Sequence, residues 1–205
     1  MIEKPVRCVL LDLGGVVLDI NPRKVFSAWA DSAGVDERIF YEGWTIDDAY
    51  KKHEVGAIGF AEYAQAQADL LNVSMPLDSW LAGWNELWEG PIEITQELLP
   101  AVTQNYPTYA LSNTNAAHAD SFLNLYGDAL SHFRELYLSH EIAARKPDSA
   151  AYLKVCDAMG FAPEEVLFLD DSLENVRGAE AVGLQAGHVK RHEDIGTLLK
   201  PLVDS

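Results

Sequence analysis

Cysteine is nearly absent from the 205 residues: Cys8 and Cys156 are the only two, far apart in the chain. That excludes a disulfide framework and a CxxC metal knuckle, and a reducing, cytoplasmic setting is expected. Positive charge is also sparse, with 15 Lys and Arg against 32 Asp and Glu and a formal charge of -17. A chain this acidic is repelled by phosphate backbones and by anionic lipid, so neither nucleic acid nor membrane is an expected partner. Long apolar runs are missing. The run within MIEKPVRCVLLDLGG meets Asp12 too soon to serve as the apolar part of a signal peptide, and no window approaches a membrane span. Repeats and low-complexity tracts are absent as well.

What is present is ordinary globular composition, 48% hydrophobic and 23% charged, sufficient for one sizeable core with a small accessory domain. Val6 to Leu11 is a short, nearly continuous apolar run that stops at Asp12 and is followed by Gly14 and Gly15, the pattern of a buried parallel strand entering a turn. Similar runs end at Ser112, Ser139 and Asp170, and another spans Leu184 to Val189. Helical stretches lie between them. From Asp148 to Met159, Tyr152, Val155, Cys156 and Met159 share one face and Gly160 is placed to stop the helix; Ser172 is placed to start the next. Alternating strands and helices predict a doubly wound α/β fold with a parallel sheet, whose ligands sit beyond the carboxyl ends of the strands.

Residues 20–90 break this rhythm, with helical periodicity, all five Trp residues and no convincing strand. They are expected to form a helical cap inserted after the first strand, leaving 1–19 and 91–205 as the core. Chemistry-bearing residues gather at the predicted strand ends: Asp12, Ser112 with Asn113, Lys146 in ARKPD, and Asp170 with Asp171 in FLDDSLEN. Crowded carboxylates do not all stay ionised without a cation, so the set calls for a hard divalent metal, and Mg²⁺ commonly takes one or two carboxylates together with substrate phosphate oxygens. A small phosphorylated metabolite is the natural partner.

On these residues the chain resembles the haloacid dehalogenase-like hydrolases, mostly phosphate-ester hydrolases with an aspartate nucleophile. DLGGVVLD, LSNTN, ARKPD and FLDDSLEN match four family motifs in order, and HEVGAIG resembles a turn of the helical cap. LSNTNAAH and the RKP triplet are similar to the branch that includes bacterial sugar-phosphate phosphatases. The resemblance implies Asp12 as nucleophile, Ser112 and the Asn113 backbone as phosphate ligands, and Lys146 as the cation joining Asp12 to phosphate. It implies Mg²⁺ on Asp12, the Gly14 carbonyl and Asp171, with Asp170 reaching metal-bound water and Asn175 orienting the acidic pair. Arg145 and Trp44 are candidate substrate contacts, and His118 is a candidate proton donor near the substrate. Trp44, Asp48, Tyr50 and Glu54 together would suit a sugar, whereas Asp19 is expected only to shape a turn.

The chain departs from the family pattern at Gly14, where the phosphatases usually carry an aspartate that protonates the leaving oxygen. Loss of such an acid slows a reaction by about 10²- to 10⁴-fold without abolishing it. Three readings therefore stand beside the Mg²⁺-dependent phosphatase. A metal-independent 2-haloacid dehalogenase shares the nucleophile, but Asp170 and Asp171 would repel its anionic substrate. A receiver-type signalling domain has its acidic pair on the first strand rather than a late one. A phosphate-ligand-binding protein with weak turnover would suit Gly14. A monomer or a homodimer is expected.

Overall fold

The computed structural model describes residues 5–203; the outermost parts of the expected core, 1–4 and 204–205, lie outside them. The chain runs through β1 (Cys8–Leu11), β2 (Leu18–Ile20), α1 (Pro22–Ala33), α2 (Arg38–Gly43), α3 (Asp48–Glu54), α4 (Phe60–Leu71), α5 (Leu77–Trp84) and β3 (Trp88–Pro91). It continues through α6 (Glu93–Asn105), β4 (Thr108–Ser112), α7 (Ala116–Leu130), β5 (Leu136–Leu138), α8 (Ser139–Ile142) and α9 (Ser149–Met159), then β6 (Val166–Asp170), α10 (Leu173–Ala181), β7 (Gln185–His188) and α11 (His192–Val203).

Five strands form a parallel sheet in the order β5-β4-β1-β6-β7, with β1 at its centre. The continuous apolar runs follow from burial on both faces. Successive residues of β1 point opposite ways, so Val9 and Leu11 join one core with residues of α6, α7 and α11, while Cys8 and Leu10 join another with residues of α9. Both cysteines are buried and free. No helix among the described residues is long and apolar enough to cross a membrane.

Between β1 and β4, α1 to α5 gather around a third core containing Trp29, Phe40, Tyr63, Trp80 and Trp84. Trp29 stacks on Trp84 at 5.5 Å and donates from Nε1 to the Trp80 carbonyl at 2.9 Å. The expectation of no strand in 20–90 is corrected: Trp88–Pro91 pairs antiparallel with Leu18–Ile20. These strands are too short, and β3 too rich in Gly and Pro, to show an alternating pattern.

Gly83 lets α5 approach α1, because a Cβ there would overlap the Trp29 indole. Gly83→Ala is expected to destabilise the protein by about 1–3 kcal/mol, seen as a lower denaturation midpoint and a change in tryptophan fluorescence.

Candidate active site

The carboxyl edge of the sheet brings the predicted residues together. Asp12 continues the ladder past β1, its N–H donating to the Leu169 carbonyl at 2.8 Å. The chain then turns so tightly that the N–H groups of Val17 and Leu18 both reach the Leu13 carbonyl. Lys146 is fully buried, its Nζ 2.8 Å from Asp12 Oδ1 and 2.7 Å from Asp170 Oδ2. Asp170 also accepts from the Ser172 N–H at 2.8 Å and from Asn175 Nδ2 at 3.0 and 3.1 Å. Both Asp170 oxygens thus carry donors, with Lys146 and Asn175 among them.

Carboxylate oxygens of Asp12, Asp170 and Asp171 lie within 4.8 Å of one another. Burial pushes the Asp12 carboxyl up, Lys146 pulls it back, and the neighbouring aspartates raise it further. Asp171 is raised by burial and then by Asp170. Burial opposes the charge on Lys146, but the two carboxylates outweigh it and hold the ammonium above its ordinary value. One ammonium against three carboxylates leaves an excess of negative charge, and hard oxygen donors suit Mg²⁺. Gly15, at φ 73°, is required here twice over: a Cβ would also come within 2.6 Å of Asp171 Oδ2.

Ser112 ends β4 and is buried beside Asp12 in one cavity wall. Asn113 is clamped to Lys146 by two bonds of 2.8 Å, its Nδ2 donating to the Lys146 carbonyl and its Oδ1 accepting the Lys146 N–H. Ser139, not predicted to matter, ties this loop to the helical insert: its hydroxyl accepts the Thr114 N–H at 2.8 Å and lies 2.6 Å from the Glu54 carbonyl. It ends a strand run, so the rule that located the other site residues could have located it too. Arg145 donates from Nε to Glu54 Oε2 at 2.6 Å. It therefore joins the core to the insert through this ion pair.

Above Asp12 lies a cavity of about 190 Å³ reaching Ser112, Asn113, Thr114 and Asp171 at one end. Its remaining wall includes Ile20, Phe26, Trp44, Trp84, Trp88 and Phe122. Trp44 thus faces the site as expected of a substrate contact, its Nε1 donating to the Tyr63 hydroxyl at 3.0 Å. Asp48 is exposed and Glu54 is buried, and neither lines this wall; Glu54 lies with Tyr50 along a second cleft instead, so the four residues expected to suit a sugar do not share one cavity. That second, more open cleft, lined also by Lys51, Lys52 and Arg145, reaches Asn113, Lys146 and Asp171 from another side. Asp19 accepts the Ile20 N–H at 3.0 Å, in keeping with a role in the turn.

His118 lines the apolar cavity, but its expected part as proton donor is corrected by its bonds. Its Nε2 donates to the Trp84 carbonyl at 2.9 Å, its Nδ1 meets the Asn115 amide at 3.3 Å, and its ring stacks on Trp84 at 4.4 Å. Burial takes its pKa down to about 4. A neutral ring whose N–H is donated to a backbone carbonyl has no proton directed at the cavity. Ile20, Phe26, Trp84, Trp88 and Phe122 were not predicted at the site. The alternating VVLDI segment is a faint signal for Ile20 alone.

Residues 6–183 match the haloacid dehalogenase-like hydrolase family. The chain belongs to that family. This haloacid dehalogenase-like hydrolase is 30% identical over 93 residues to enolase-phosphatase E1 of Persephonella marina, covering 44% of this chain and only 40% of that protein. It is 23% identical over 193 residues to phosphoglycolate phosphatase of Nitrosospira multiformis, covering 87% of this chain and 81% of that protein. A haloacid dehalogenase family enzyme from Bacteroides thetaiotaomicron, solved with magnesium and inorganic phosphate, superposes with a TM-score of 0.76 at 23% identity, over 89% of this chain and 93% of that one.

Lys146→Met leaves buried carboxylates uncompensated and is expected to cost about 3–5 kcal/mol of unfolding free energy in metal-free buffer. Denaturant titration measures it. The His118 imidazole is ordinary in the unfolded chain, near 6.5, and depressed to about 4 when folded. Its contribution is therefore complete above pH 6.5 and is lost as pH falls toward 4. Stability of His118→Gln should fall less steeply across that window than that of wild type.

Proposed function

We propose that this hydrolase is a Mg²⁺-dependent phosphatase acting on a small phosphorylated metabolite through a phospho-aspartyl intermediate. The observation that carries the reading is the Lys146 ammonium between Asp12 and Asp170, with Asp171 alongside, beneath a cavity that Ser112 and Asn113 also line. The phosphatase names of two relatives and the magnesium and phosphate in the Bacteroides structure support it.

Asp12 attacks phosphorus in line and water later hydrolyses the acyl phosphate. The Ser112 hydroxyl and the Asn113 backbone N–H hold non-bridging oxygens, and Lys146 offsets their charge against Asp12. Asp12, Asp171 and the Gly14 carbonyl are the residues that would hold Mg²⁺. When bound, it supplies positive charge toward the phosphoryl oxygens. The helical insert, read as a cap over 20–90, covers the reacting atoms, with Arg145 and Ser139 holding it down.

Phosphate release is expected to require Mg²⁺, to stop with EDTA and to return on adding Mg²⁺. Asp12→Asn should lower kcat by about 10³-fold or more. Wild-type turnover in that variant would rule out the covalent route. Chloride release from 2-haloacids by EDTA-treated protein would instead establish the dehalogenase. Phosphate binding without turnover of any ester would establish the binding protein.

A further inference from the structure

The apolar wall and the glycine at position 14 bear on the same question, the nature of the group that leaves. A Cβ built on Gly14 would lie 3.2 Å from Ile20 Cδ1, so Ile20 occupies space that a longer side chain at 14 would need. Among the described residues that line this cavity, no other acid takes over. Asp12 and Asp171 belong to the phosphate end. The His118 proton is held by the Trp84 carbonyl. The Tyr50 phenol is a poor donor, since burial, then Glu54, pushes it well above its ordinary value. The space itself is ring-sized: an apolar cavity of roughly 150 Å³ accepts benzene, and this one is about 190 Å³. Trp44 and Tyr50 meet edge to face at 5.2 Å in the wall, and Trp84, stacked on His118 at 4.4 Å, forms another part of it, so aromatic rings bound much of the volume. Beyond the phosphate end the wall is built largely of Ile20, Phe26, Leu87, Trp88 and Phe122, which offers little to the several hydroxyls of a sugar.

We propose, resting on the phosphatase reading above, that the substrate carries a compact apolar leaving group that departs as a stable anion, as in an aryl phosphate or the acyl phosphate of an apolar acid. An oxygen of the Asp12 carboxylate bonds to phosphorus while the bond from phosphorus to the leaving oxygen breaks. That oxygen keeps the electron pair and leaves as phenolate or carboxylate, with no proton needed. Water oxygen then bonds to phosphorus, the bond to Asp12 breaks, and the proton from water passes to the phosphoryl group. The products are dihydrogen phosphate and a free Asp12 carboxylate, so charge and atoms balance.

The test measures kcat/KM with Mg²⁺ for substituted phenyl phosphates of graded phenol acidity, for benzoyl and acetyl phosphate, and for glucose 1- and 6-phosphate. Without a general acid, the aryl series is expected to lose about 10²-fold or more from the most acidic phenol to phenol itself. Sugar phosphates should fall below the best aryl or acyl substrate, and the faster of those two arms identifies the source. Trp44→Ala should narrow the preference for apolar over sugar leaving groups by about tenfold, the effect of roughly 1.4 kcal/mol of lost burial. Gly14→Asp combined with Ile20→Ala, which clears the space, should flatten the dependence on phenol acidity. A flat dependence in wild type, or a sugar phosphate with the highest kcat/KM, overturns the proposal and leaves the phosphatase standing. No phosphate from any member overturns both.

Discussion

The Lys146 ammonium is kept from water with a carboxylate oxygen on either side, at 2.8 Å from Asp12 and 2.7 Å from Asp170, and much of the architecture serves to keep it there. A buried lysine is tolerated only when its charge is paired and its donors are used. The chain arranges this from three directions. Asn113 fixes the Lys146 backbone. Asn175 and the Ser172 N–H fix Asp170 from the start of α10, and the Tyr152 hydroxyl, donating to the Asn175 carbonyl at 2.7 Å, ties that helix to α9. Gly178 lets α10 close on the Pro147 carbonyl, where a Cβ would come within 2.7 Å. The apolar cores on the two sheet faces thus position charge as well as contributing stability.

A second set of contacts closes the site from above. Glu54 uses both its carbonyl and its carboxylate, the first toward Ser139 and the second toward Arg145. At the neighbouring turn Gly56 sits against the His140 carbonyl, where any side chain would collide. The Trp88 indole reaches Ser121 at 3.1 Å. These polar ties act at the rim, while the wall over Asp12 is apolar. Exclusion of water strengthens every electrostatic interaction inside.

The central strands and their chemical endings were legible because buried parallel strands have an unambiguous signature, an apolar run stopped by a polar residue, and all such endings meet on one edge. That is why Asp12, Ser112 and the Asp170 pair were legible as neighbours, whereas Lys146 lies in the loop between α8 and α9, past the end of any strand, and only the ARKPD motif pointed to it. The fates of His118, Arg145 and Glu54 were not legible. The acceptor that holds His118 is a backbone carbonyl, and every residue has one. Arg145 and Glu54 are distant in sequence and paired by how α3 lies on the core. Ile20 sits over Gly14 only because the turn between β1 and β2 is so tight, and tightness of that kind depends on hydrogen bonds that no residue pattern spells out.

The ribbon of β2 and β3 places both chain crossings between the sheet and the helical insert side by side, Leu18 opposite Pro91 and Ile20 beside Trp88. Paired strands stand about 4.8 Å apart. The polypeptide thus leaves and rejoins the core at neighbouring points, so the length of what lies between is almost irrelevant to the sheet. Helices could be added, shortened or exchanged beyond the ribbon at little cost in loop closure. The edge of the sheet and the helical insert beside it are therefore free to diverge at different rates.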